Sequence, residues 1–86
     1  HHDPAALRFS TTVDGHEAEL LYSLRGQQMV IDHTGVPQAI GGRGVAAALV
    51  RAAFDHARGQ GWRVVPACSY SAAYVQRHPE YADLVA

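Results

Sequence analysis

Hydrophobic and polar residues alternate with a period of two up to about residue 34 and then change to a helical period after residue 44. Leu7 to Val13 carries Phe9 and several β-branched residues and stops at Asp14-Gly15, a dipeptide that favours tight hairpin turns. A strand and a turn are predicted. From Glu17, the series Ala18, Leu20, Tyr22, Leu24 alternates with Glu19, Leu21, Ser23, Arg25, which predicts a second strand ending at Gly26. Gln28 to Thr34 is short, apolar at its centre and interrupted by Gly35 and Pro37, and reads as a third antiparallel strand.

Val45 to Arg58 is rich in helix formers and free of internal Gly or Pro until Gly59, which predicts the longest helix. Val45, Leu49, Ala52, Ala53 and His56 fall at spacings of three and four and are expected to form its apolar stripe, with Arg51, Asp55 and Arg58 in solvent. Trp62 to Pro66 predicts a fourth strand. Ser71 is placed to cap a short last helix that runs to Arg77 and stops before His78-Pro79. The order strand, strand, strand, helix, strand, helix is an α+β arrangement, and the crossover helix requires one parallel strand pair.

At 86 residues the chain is expected to form one domain over 1–86. The leading His1-His2 pair is set aside as a possible tag remnant. A hydrophobic content of 48% describes a globular chain, and a net charge of -1 with dispersed cations argues against nucleic acid as a partner. The single cysteine excludes an internal disulfide and fits a reducing, cytoplasmic setting. No apolar run is long enough to span a bilayer, so no membrane partner is expected.

The strongest local signal is Gly41-Gly42-Arg43-Gly44 directly before a helix. Such a loop can present backbone N–H groups where the helix dipole is positive, which suits phosphate, and Ala46 would keep the first turn unobstructed. A flexible strand-to-helix connection is the alternative. Cys68 lies between a strand end and a helix start, where a thiolate is favoured, although a free cysteine can equally be a small apolar residue. His33 is a candidate general base or a structural strand residue. Tyr70 and Tyr74 could offer a hydroxyl or pack as aromatics. His16, His56 and His78 show no metal-binding spacing, so no metal is expected.

Gly42-Arg43-Gly44-Val45-Ala46-Ala47-Ala48-Leu49-Val50 resembles the acyl-CoA pyrophosphate loop of the GNAT N-acetyltransferases. His33-Thr34-Gly35-Val36-Pro37, Pro66-Ala67-Cys68-Ser69-Tyr70 and Tyr74-Val75-Gln76-Arg77-His78-Pro79-Glu80-Tyr81 narrow the likeness to miniature GNAT-like proteins, which it spans from Phe9 to Leu84. The resemblance implies a pared-down GNAT fold whose third and fourth strands diverge near Val36 and Val65 to admit pantetheine. It further implies Cys68 and His33 as catalytic residues, acetyl-CoA as cosubstrate, and a cofactor set of Val36, Gly41, Gly42, Arg43, Gly44, Val45, Ala46, Tyr70 and Tyr74. Gly41 stands where the superfamily usually has Gln or Arg, and Arg43 is expected to supply the missing charge.

The function so indicated is acetyl transfer from a CoA thioester to an amine, a small molecule or a protein lysine. The alternative is a module that holds CoA or acyl-CoA without transferring the acyl group.

Overall fold

The computed structural model describes all residues from His1 to Ala86. Five strands, β1 (His2–Asp3), β2 (Arg8–Val13), β3 (His16–Arg25), β4 (Gln28–Gly35) and β5 (Arg63–Pro66), form one sheet in chain order, antiparallel except for the parallel β4–β5 pair. The β2–β3 hairpin closes on Val13 and His16. Asp14 and Gly15 between them have φ of 50° and 77°, the left-handed pair that a two-residue turn of matching twist requires.

Two irregularities shape the far end of β4. Asp32 is a bulge: Leu21 pairs with His33 but Tyr22 pairs with Ile31. The extra residue resets the alternation, so Thr34, opposite the core residue Leu20, faces the helices, while His33, opposite Leu21, faces the other side. The β4–β5 ladder then stops at Ile31 and Pro66. Proline brings no N–H, and the next donor, Ala67 N–H, turns back onto Val65 O at 3.0 Å. Cys68 N–H to Ile31 O at 3.0 Å is the last backbone bond between the two segments. Beyond it β4 continues without β5.

Helix α1 (Val45–Gln60) crosses one face of the sheet from β2 to β5, and α2 (Ser69–Arg77) packs on α1 and the β4–β5 end of that same face. A final 3-10 segment, Pro79–Leu84, completes this layer. Phe54 is its hub, fully buried and in edge contact with Tyr74 and Tyr81 at centroid distances of 6.0 and 5.2 Å. Nη1 and Nη2 of Arg58 each donate to one oxygen of the Asp83 carboxylate at 3.1 Å, and Ala86 N–H bonds Val64 O at 2.9 Å, covering the outer edge of β5.

The sequence-based elements are present with shifted edges. α1 runs through Gly59 and ends at Gly61, whose φ of 75° and N–H bonds to Ala57 O and Arg58 O make a left-handed C-cap. The expected stripe is rotated: Ala52 is exposed, and the buried positions are Val45, Leu49, Val50, Ala53, Phe54 and Ala57. Ser71 is not the cap of α2. Cys68 is, with its sulfur accepting Ser71 N–H at 3.3 Å. The two residues set aside at the start join the fold, with the His2 ring stacked on Phe9 at 4.0 Å and its Nε2 2.6 Å from the Tyr22 hydroxyl. No helix is long and apolar enough to cross a membrane.

The rotated stripe is tested by neighbouring alanines. Ala52→Lys should change the unfolding free energy by less than about 0.5 kcal/mol, because the position faces solvent. Ala53→Leu, at a fully buried position, should cost about 1–3 kcal/mol through overpacking. Urea denaturation of both variants reads the difference.

Candidate functional site

The chain leaves β4 at Gly35, makes a 3-10 turn at Gln38–Ile40, and enters α1 through Gly41 to Gly44. Gly42 and Gly44 have φ of 77° and 74°, a region that disfavours any side chain, and a Cβ on either would meet no other atom within 4 Å. Their glycine is therefore demanded by backbone shape and leaves open space in front of the loop. At Gly41 the reason differs, since a Cβ there would sit 3.3 Å from Gln38 O.

The open space is a cleft of about 250 Å³ lined by Val36, Ile40, Gly41, Gly42, Gly44, Val45, Ala46 and Tyr70. Gly44 caps α1 with no side-chain acceptor, and the first turn of α1 holds no acidic residue. The first N–H groups of the helix thus meet no side-chain partner and point where an anion is favoured. This donor set, with an otherwise apolar wall, fits a ligand that joins phosphate to an apolar arm.

Cys68 lies beside the β4–β5 fork, half-buried. Its sulfur accepts Ser71 N–H at 3.3 Å and lies 3.4 Å from Thr34 Oγ1. Burial pushes the thiol up, but the polar groups of Ser71 and Thr34 and the N–H groups of Ser71 and Tyr70 outweigh it and hold the thiol below the ordinary cysteine value. His33 is exposed on the opposite face of the sheet and forms no hydrogen bond to Cys68. Its Nε2 lies over Gly35, 2.8 Å from where a Cβ would stand, so glycine at 35 lets the imidazole lie along the strand.

Residues 8–84 match the family model of the GCN5-related N-acetyl-transferase. This chain belongs to the GCN5-related N-acetyltransferase family. Among curated relatives, protein NATD1 of Mus musculus is 37% identical over 81 residues, covering 91% of this chain and 74% of that protein. NATD1 of Homo sapiens is 36% identical over the same length, with 72% of it covered. The fold matches the solution structure of a GCN5-like protein from Staphylococcus aureus with a TM-score of 0.70 at 25% identity, over 95% of this chain and 90% of that one.

Seven of the nine residues expected to hold the cofactor line the cleft: Val36, Gly41, Gly42, Gly44, Val45, Ala46 and Tyr70. Two do not. The Tyr74 ring is buried, stacked on His78 at 4.0 Å and edge-on to Phe54, so it is a core aromatic. Arg43 is not among the lining residues and pairs with Asp14 at the tip of the β2–β3 hairpin. Ile40 was not anticipated as a lining residue. Its signal was an isolated apolar residue between two loop segments. Thr34 also escaped sequence reasoning, because a strand alternating regularly from Met29 would turn it away from the helices; only the Asp32 bulge brings its hydroxyl to the thiol. No three His, Cys, Asp or Glu side chains gather in a metal-binding group.

Removing the hydroxyl should expose its role. Thr34→Val is expected to raise the Cys68 pKa and slow iodoacetamide alkylation at neutral pH, while Thr34→Ser restores both. The linked stability has a definite sign. The folded thiol releases its proton more readily than the unfolded one, so its contribution is full above the ordinary cysteine value and lost as pH falls through the folded value. Thr34→Val should shrink that gain, as read by urea midpoints across the same pH range.

Proposed function

We propose that this family member binds acetyl-CoA and transfers its acetyl group to an amine. The observation that carries this reading is the cleft at the head of α1, where two left-handed glycines, uncapped helix N–H groups and an apolar wall meet, with Val36, the residue after β4, on the lining. Gly42, Gly44, Val45 and Ala46 would hold the diphosphate through backbone N–H groups. The edge of β4 beyond Ile31, free of β5, offers hydrogen-bonding backbone to the amide-bearing pantetheine arm, which leads the thioester toward Cys68. CoA supplies the activated acetyl group.

The two chemical candidates lie on opposite faces of the sheet, joined by the fork. His33, on the open face, suits removal of a proton from an amine arriving there. Cys68, on the helix face and held below the ordinary thiol value by its hydrogen bonds, suits attack on the thioester carbonyl. In that exchange the Cys68 sulfur gains the acetyl group and CoA leaves as its thiolate. The amine then takes the acetyl group, and Cys68 regains its thiolate.

Mass spectrometry of the protein with acetyl-CoA, alone and then with a panel of amines, tests both reactions. One added acetyl group at Cys68 that disappears with a competent amine is the expected result. Cys68→Ala should lower transfer strongly while leaving CoA affinity within a few-fold. Undiminished turnover in that variant removes the thiol from the chemistry. Tight CoA binding with no transfer to any amine would make the protein a CoA-holding module instead.

Binding itself is tested at the loop. CoA should raise the melting temperature of the protein by mass action, and Gly44→Glu should abolish the shift by filling the approach and adding a like charge. Gly26→Glu controls for strain, since Gly26 has a φ of 59° and open surroundings but lies away from the cleft. Equal CoA shifts in both variants would remove the loop from the site.

A further inference from the structure

We propose that Asp14 is a positioning residue for ligand binding: it holds the Arg43 guanidinium in a surface ion pair from which phosphate must draw it. This rests on the reading of the glycine loop as a CoA diphosphate site and deepens it.

None of the residues lining the cleft carries a charge, so Arg43 is the cation that the loop itself provides. It stands between Gly42 and Gly44, both with positive φ and both lining the cleft, so its backbone borders that space. Its Nη1 is bonded to Asp14 Oδ2 across the gap between the β2–β3 hairpin and the loop. Both side chains are more than half exposed, so the pair exchanges readily with solvent ions. The two-residue turn, with both central residues left-handed, sets the Asp14 backbone at the hairpin tip, from which its carboxylate reaches Arg43.

In the free protein the loop's one cation is therefore neutralised. A diphosphate at the N-terminus of α1 brings at least two negative charges within reach of the same guanidinium, which has donors for a second acceptor. Binding must either share Arg43 or take it from Asp14. Each route weakens the existing pair and leaves the carboxylate facing an anion. Asp14 thus lowers affinity for phosphate-bearing ligands, and its effect passes through Arg43.

Isothermal titration with CoA, and with phosphate-free pantetheine, reads this directly. Asp14→Asn keeps a residue that tolerates left-handed geometry in the turn and removes only the charge. It should tighten CoA binding about 2- to 5-fold at low salt, the range expected of an exposed ion pair, and the gain should shrink at ~0.5 M salt. Arg43→Ala should weaken CoA binding at low salt. Pantetheine affinity should move with neither variant, whereas a merely structural role for the pair would disturb both ligands. Glu17→Gln, which removes one carboxylate from the same hairpin but has its partner in Arg8, should leave CoA binding unchanged. Unchanged or weaker CoA binding in a folded Asp14→Asn protein, or an equal gain in Glu17→Gln, would overturn the proposal while leaving the CoA site in place. Absence of CoA binding by the unaltered protein would instead remove the CoA site, and this inference with it.

Discussion

The parallel ladder between β4 and β5 breaks at Ile31 and Pro66, and the candidate site depends on that break. A parallel pair is normally continued by evenly spaced hydrogen bonds. Here proline withdraws one donor, Ala67 turns its own donor back to Val65, and Cys68 makes the last backbone bond to β4. Three consecutive residues thereby end a strand, open a fork and start a helix. The fork frees the edge of β4 and sets the thiol next to it.

Stability and access are divided between the two faces of the sheet. Both helices and the C-terminal 3-10 segment pack on one face around Phe54, Tyr74 and Tyr81, with Tyr81 further tied to Asp55 by a 2.7 Å hydrogen bond. Arg58, Asp83 and the tail alongside Val64 fasten that layer to the β5 edge. The other face carries Arg8 with Glu17 and Glu19, and His33. The helices and the 3-10 segment thus cover one face of the sheet, and the exposed His33 lies on the other.

Charge at the glycine loop follows from fold rather than composition. The loop contains one arginine, and the β2–β3 hairpin, at the same end of the sheet where β4 finishes, delivers an aspartate to it. The donors left without a side-chain partner there are backbone N–H groups at the start of α1.

Much was legible in the sequence by itself. Alternation defined the three antiparallel strands, the Asp14-Gly15 turn and the glycine-flanked long helix, because these depend on local periodicity and on backbone conformations that few residues tolerate. The Gly42 and Gly44 pair marked the left-handed loop ahead of α1 for the same reason. The partners of these elements were not local. The bulge at Asp32 exchanged the faces of His33 and Thr34, which a strict period of two could not reveal. The stripe of α1 centred on Phe54 rather than Ala52, since a run of alanines suits either phase and contact with Tyr74 and Tyr81 chose between them. Arg43 met Asp14, and Cys68 met Thr34, across 29 and 34 residues of chain. Local backbone preference determined the elements, but which side chains face one another was decided by strand register and helix packing, and those exist only in the folded molecule.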